Sequence, residues 1–566
     1  MDALFDLIAA VVIDAVAVVV RFWPSLLLAA AMLAMARKGV RAPRLPLPPP
    51  ALAYAIVCLL SLATSAVTLN LRGEPRMPGY EDDFGYLLSA DTFTHGRLTN
   101  PPHPLARHFE TLYTLQEPTY SPMYLPGNGA VLALGRLIAG RAIAGMWMAT
   151  ALAALAILWA LRGWVPAGWA FALGCLAAVH PTMASWSDSF HGGGLTACGG
   201  ALVAGAAGRL RREPRTIDGL AFGAGAVLLE LTRPYEGFIV VAAFAVVVIA
   251  SARWRPLLRP AAAALLVVAA GTAALMVVNH SVTGHALKPA YVAYNDRYLS
   301  APNFIWQRAG AMPSYDHEEF ARLYRQFRNY YLRNRQPREF PRTVYAETLA
   351  LLRAAIPAPE NEQTSARRAV ASLWLLELIP LGAFFFAALR DRAATAIAVV
   401  LAAALASLLA ITWFTQTHYA APAAGAFAVA LGIGFARLDA WRPSGEWLAR
   451  GAFLSMLGVS AATIALWQPF GVGVRTRMIQ SLEARPGPHL VLVPDNCFGL
   501  LRNGAAIDRQ RIIWAHDLGD NDELLRRYAD RSLWTVRCKD VDRLVFVRPP
   551  LRNGVPQIYE RDPYVP

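Results

Sequence analysis

The chain has 566 residues, of which 56% are hydrophobic and only 16% charged, with a formal charge of +14. The charged share is well below the roughly 25% usual in soluble domains, which excludes an ordinary water-soluble protein. Nor does the basic excess point to nucleic acid. The arginines fall in short hydrophilic intervals between apolar segments, as in RKGVR, RLRREPR and RWRPLLR, which is how cytoplasmic loops are marked.

A membrane-spanning helix needs about 20 apolar residues. Segments of that kind are predicted near 15–36, 51–70, 142–161, 165–184, 189–208, 217–232, 235–252, 260–279, 370–389, 393–412, 419–437 and 451–468. The first belongs to an apolar stretch from about Leu7 to Ala36 with Asp14 and Arg21 inside it. It is too short for two spans and reads as one long tilted helix. The opening residues are acidic and no cleavage-like site follows them, so a removable signal peptide is not expected. GNGAVLALGRLIAG (127–140) is too short to span and carries Arg136. It reads as a helix lying at the surface or dipping in from it. Residues 1–470 are therefore expected to form an α-helical polytopic membrane domain of about 12 spans, with long outer loops at 71–141 and 281–368.

Orientation follows from the basic loops. With Arg37–Arg44 placed in the cytoplasm and the spans alternated, Arg162, Arg209–Arg215, Arg253–Arg259, Arg390–Arg392 and Arg437–Arg450 all fall inside. The same parity places the long loops and four polar motifs on the opposite face. These are GYEDDFGY, SDSFHGGG, TRPYEG and TQTHYAAP.

The tail, 471–566, has a different texture. HLVLVPD, RIIWAHD, SLWTVRC and RLVFVRP read as strands, and NDELLRRYADR reads as a helix opened by an Asx cap. A small soluble α/β domain on the outer side is expected, acting in acceptor recognition or support. It has no glycine-rich nucleotide signature. Cys58, Cys175 and Cys198 lie in apolar runs as small core residues, and only Cys497 and Cys538 are placed to form a disulfide.

The candidate chemistry sits in the outer motifs. Asp82 and Asp83 open a predicted helix, where adjacent side chains diverge by about 100°. One acid can face a cavity while the other caps the helix or pairs with an arginine, and Tyr86 lies one turn beyond Asp82. The plainer alternative is that Glu81, Asp82 and Asp83 only cap the helix. Arg233, with Glu236 close by, is expensive at membrane-edge depth unless paired or bound to an anion. It is either a satisfied ion pair or a fork for two phosphate oxygens. Arg297, among aromatics in YNDRYL, is a second phosphate candidate, whereas the arginine-rich run after Phe320 reads as a solvated helix. From His285 to Arg342 there are ten Lys/Arg against five Asp/Glu. His191 ahead of three glycines, and His418 with Tyr419, stand at other outer helix ends as packed histidines or ligand contacts. Asp83 and His103 are weak metal candidates, with His108 near them, so a divalent cation is admitted as a possible cofactor but no spacing demands one. A carboxylate at a bilayer surface, with arginines able to hold a lipid phosphate, suits transfer from a membrane-borne phosphate donor.

Together GYEDDFGYLLSADTFTHGRLTNPPHP (79–104), LPGNG, SDSFHGGG, LTRPYEG and THYAAP resemble bacterial membrane proteins of the glycosyltransferase C superfamily. Within it they are most similar to the family with the rhizobial lipopolysaccharide glycosyltransferase domain, akin to protein O-mannosyltransferases and aminoarabinose transferases. The resemblance covers roughly 50–440, and relatives carry a tail like 485–545. It implies a multi-spanning inner-membrane enzyme with its active site facing the periplasm. Such an enzyme takes a sugar, hexosyl or pentosyl, from a polyprenyl-phosphate donor. It passes the sugar with inversion to a hydroxyl on a glycan, lipid or protein. The family's acidic pair, usually Asp-Glu, falls on Asp82 and Asp83, with Asp82 as the base; here the second acid is shorter by one methylene. The rival reading is a transporter or flippase of a lipid-linked or anionic precursor, against which stand the lack of repeat halves and the one-sided placement of the charged groups. A third is an envelope scaffold whose tail carries the function.

Overall fold

The computed structural model describes residues 22–72, 81–355, 371–412, 416–467, 474–494, 497, 499–540 and 543–547. The expectation for residues 15–21 lies outside these. Among the described residues, seven helices are long and apolar enough to cross a membrane: Pro50–Arg72, Ile143–Arg162, Pro234–Ser251, Trp254–Thr283, Arg392–Leu409, Thr417–Ala440 and Ser444–Ala465. An eighth span is available from the Ala167–Ala178 and Pro181–Ser187 helices, which meet at a 47° bend. The break falls at His180–Pro181, where proline has no N–H to continue the ladder. Phe22–Arg37 and Leu375–Ala388 are shorter apolar helices. Gly194–Leu210 and Thr216–Glu230 fill two of the other expected segments with 17 and 15 residues. The protein is an α-helical, multi-pass membrane protein with a small C-terminal α/β domain.

Glycine and alanine set the packing in the bundle, because lipid supplies no hydrophobic drive between helices and close approach has to replace it. Nearly every residue of Gly194–Leu210 is buried. A Cβ at Gly225 would lie 2.6 Å from the carbonyl oxygen of Gly199, and one at Gly200 would lie 2.0 Å from that of Pro422. The helices that end at the polar motifs are thereby locked side by side.

Outside the bundle, the Glu81–Thr94 helix packs against Pro126–Ala139. That second helix rests on Ile143–Arg162 and ends at Gly140, whose φ of 70° is the left-handed cap glycine allows. Two short strands, β1 (Thr114–Leu115) and β2 (Ser121–Pro122), pair antiparallel in the same loop.

The C-terminal domain is a four-stranded sheet of β3 (His489–Val493), β4 (Ile512–His516), β5 (Ser532–Asp540) and β6 (Arg543–Val547), in the order β4-β3-β5-β6. β3 is parallel to both neighbours, and β6 is antiparallel to β5. The helix between β4 and β5 is only Asp522–Arg527, and the expected Asx cap is not made. The Asn521 side chain turns back instead, accepting from the Leu518 N–H at 3.1 Å and donating to Asp517 at 2.7 Å. Cys497 is disulfide-bonded and Cys58, Cys175 and Cys198 are free; the side chain of Cys538 lies outside the described ones. The sheet lies on the first long loop: Leu88, Leu105, Phe109 and Tyr120 share a buried cluster with Leu490, Ile513 and Tyr528.

Candidate active site

The polar motifs converge at one end of the bundle. Asp82 and Asp83 stand in the first turn of Glu81–Thr94 and, being adjacent, take different partners. Asp83 is buried, at 3% exposure, and its Oδ1 lies 2.5 Å from Nδ1 of His191. The sequence offered an arginine or a cap for this acid; the histidine occupies that place. Asp82 is half-buried and accepts a hydrogen bond from Tyr124. Burial raises the Asp82 carboxyl above its ordinary value, and the opposing pull of His191, Tyr124 and Arg233 does not cancel the rise. Burial also works against the charged form of His191, but Asp83 and Asp82 more than offset it, so that imidazole titrates above its ordinary value. Asp82 and Asp83 are thus a pair of acids beside an imidazole whose cationic form they stabilise.

Tyr124 is held by contacts on both sides. Its ring stacks on Tyr86 at 4.3 Å between centroids. Gly85 leaves room for it, since a Cβ there would come within 2.8 Å of the ring. Sequence reasoning missed this residue because PMY lies in a loop without periodicity. The glycine between two acids and a tyrosine in DDFGY was the available signal that something packs closely on that helix face.

Arg233 precedes the Pro234–Ser251 helix. Its guanidinium lies over the Tyr419 ring at 4.2 Å and reaches Glu236 at 3.6 Å. His418 stands beside Tyr419, and its ring is 5.6 Å from that of His191. The LPGNG turn ties these pieces together. The Gly127 N–H donates to the Leu231 carbonyl at 3.0 Å, and the Asn128 amide donates to the Phe190 carbonyl at 2.6 Å. Gly193, with φ at 126°, lies where a Cβ would collide with the Trp186 ring. Arg72 closes the far side through Asp188 at 3.1 Å.

Two candidates lie elsewhere. Arg297 stacks over Tyr298 and is 3.9 Å from both Glu110 and Glu117. It belongs to the contact between the outer loops and the C-terminal domain, where Tyr298 donates to Glu110 and His516 meets the Glu110 carbonyl. His103 does not accompany Asp83. Its Nε2 is 3.1 Å from Asp508, whose carboxyl is held well below the usual range by Arg527, with Tyr528 and His103 adding to the effect. His108 is likewise turned to the tail, at the His516 carbonyl. Among the described residues no three His, Cys, Asp or Glu side chains are grouped to hold a metal ion.

The fold is similar to that of a membrane protein of known structure. ArnT from Cupriavidus metallidurans, in a crystal structure bound to undecaprenyl phosphate, matches with a TM-score of 0.50 at 12% identity, over 85% of this chain and 92% of that one. Archaeal oligosaccharyltransferase AglB from Archaeoglobus fulgidus, in complex with an inhibitory peptide and a dolichol-phosphate, matches with a TM-score of 0.44 at 13% identity, over 77% of this chain and 62% of that one. The chain therefore spans about three fifths of that oligosaccharyltransferase. No protein-family model and no curated protein matches the sequence. At such identity the likeness defines the fold, and the chemistry has to be argued from the side chains.

Proposed function

We propose that the protein is a membrane glycosyltransferase that moves a sugar from a polyprenyl-phosphate donor to a hydroxyl acceptor, with inversion. The observation that carries this reading is a half-buried carboxylate, Asp82, within the electrostatic reach of a guanidinium, Arg233, that lies over Tyr419 at the same end of the bundle. The acceptor oxygen attacks the anomeric carbon and forms the new C–O bond, while the bond from that carbon to the phosphate oxygen breaks. Asp82 takes the hydroxyl proton, and its raised pKa makes it a better base than a solvated aspartate. The departing polyprenyl phosphate keeps the electron pair, and Arg233 offsets its charge. Asp83 and His191 hold the start of the helix, and Tyr124 aims the Asp82 carboxylate.

The bound undecaprenyl phosphate of ArnT, which shares this fold, supports a lipid-phosphate donor. The resemblance to rhizobial lipopolysaccharide glycosyltransferases supports a hexosyl or pentosyl donor and a glycan, lipid or protein acceptor outside the cytoplasm. Residues 1–470 then form the catalytic membrane domain of a bacterial inner-membrane enzyme, with the site facing the periplasm and 471–566 bracing it. The test is glycosyl transfer in membranes supplied with a labelled polyprenyl-phosphate sugar, comparing the wild type with Asp82→Asn. Activity in the first and its loss in the second are expected. Equal transfer by both would overturn the base, and no transfer from any of several donors would favour a carrier of lipid-linked precursors.

A further inference from the structure

Beside the site, the Glu318–Asn334 and Phe340–Ala355 helices form a ledge on the bundle. The first buries Phe320 and Tyr324 in a cluster with Tyr294 and Tyr298, and its Tyr331 hydroxyl donates to the Gln307 carbonyl at 2.5 Å. The segment just before Gln307 is bonded to the end of the Arg392–Leu409 helix. There the Ile305 N–H donates to the Ala410 carbonyl at 2.9 Å, and the Thr412 N–H to the Asn303 carbonyl at 3.0 Å. Phe340–Ala355 packs on that helix and on Thr417–Ala423, which carries His418. The ledge is therefore level with the bundle end that holds Asp82.

The ledge and the segment just before Gln307 expose two chemistries. Trp306, Phe340 and Tyr345 are 61%, 53% and 69% exposed, and Arg333, Arg338 and Arg342 are exposed as well. Glu339 is partly buried and reaches Arg342 only at 4.0 Å. Water would leave the three large apolar groups uncovered. A soluble polyanion would engage the arginines and not the rings. A phospholipid surface uses both: rings settle at the glycerol level, and guanidinium forks hold phosphate oxygens.

We propose that this ledge docks on anionic phospholipid headgroups of the leaflet at the active-site end, held by Arg333, Arg338 and Arg342 with Trp306, Phe340 and Tyr345 inserted beside them. The surface does not depend on the reaction proposed for Asp82. The test uses the full chain in phosphatidylcholine nanodiscs containing about one third phosphatidylglycerol. Trace phosphatidylglycerol or phosphatidylcholine with a photoreactive headgroup is added, and the adducts are mapped by mass spectrometry. The phosphatidylglycerol probe should label residues 333–345 about fivefold more than the phosphatidylcholine probe, the factor associated with one basic residue at an anionic surface. High salt should reduce that preference. The triple variant R333Q/R338Q/R342Q should abolish it, while a probe in the acyl chain still labels Tyr345 and so reports an intact ledge. Equal labelling by the two headgroups, or a preference that survives in the triple variant or vanishes on adding inorganic phosphate at constant ionic strength, would overturn the proposal.

Discussion

His191 lies 2.5 Å from Asp83 and not from Asp82, and the proposed reaction accordingly assigns support to one acid and chemistry to the other. Asp82→Asn should lower turnover by about 10²–10⁴-fold with an unchanged melting temperature. Asp83→Asn should cost about 3 kcal/mol of stability, because a buried pair loses one charged partner. Thermal unfolding in detergent beside initial transfer rates separates the two, and the reverse ordering would reassign the base.

Tyr124 gives the site a pH signature. Its hydrogen bond favours the Asp82 carboxylate and so lowers a pKa that burial has raised. A base must be deprotonated, so the acid limb of the rate profile should lie above that of an ordinary aspartate, near 3.9. Tyr124→Phe removes the lowering contact and should move the limb to higher pH still. Gly85→Ala, which pushes a methyl into the same ring, should shift it in the same direction without altering any titrating group. A limb that stays in place in both variants would remove Tyr124 from the mechanism.

Arg233 and Arg297 should part company in donor kinetics. Arg233→Gln removes a guanidinium that lies over Tyr419 and should weaken donor use by about 10–100-fold, corresponding to roughly 1.5–3 kcal/mol for charge-assisted bonds. Arg297→Gln should leave the donor KM within about twofold, since Arg297 lies 3.9 Å from Glu110 and Glu117 at the contact with the C-terminal domain and not among the residues proposed for the reaction. Saturation curves against the donor decide between them.

Topology follows from the basic loops. In intact cells, a cysteine replacing the exposed His95 should react with a membrane-impermeant maleimide, and one replacing the exposed Arg212 should not. Equal labelling from outside would reject the orientation.

The site was legible where motifs sit at helix ends. Asp82 opens a helix, His191, Arg233 and His418 fall between apolar runs, and the alternation of spans gathers these positions on one side. Arg297 was harder to place, because aromatic neighbours suggested membrane depth. Those rings, Tyr294 and Tyr298, pack with Phe320 and Tyr324 into a cluster of their own, and the charge beside them serves an interface with distant Glu110. Helix lengths were the other weak point. Gly194–Leu210 reads as a full span by hydropathy, yet it is shortened at its start by the glycines that turn the chain around Trp186. Tyr124 had no periodic neighbour to announce it, and only the tertiary fold brings it to Asp82.

The Asp91 carboxylate, on the helix whose first turn holds Asp82, accepts from the Ala505 N–H at 2.7 Å across 414 residues of chain. Arg136 holds the other oxygen of that carboxylate at 3.1 Å. During biosynthesis the helix is thus made early and secured late. It can insert beside the bundle, but it has no partner for one of its anchoring oxygens until the sheet has been translated and delivered to the same side. Nascent chains halted before residue 505 should carry every side chain assigned to the reaction and still leave the helix loosely seated. The order of synthesis would thereby delay catalysis until the whole molecule is in place.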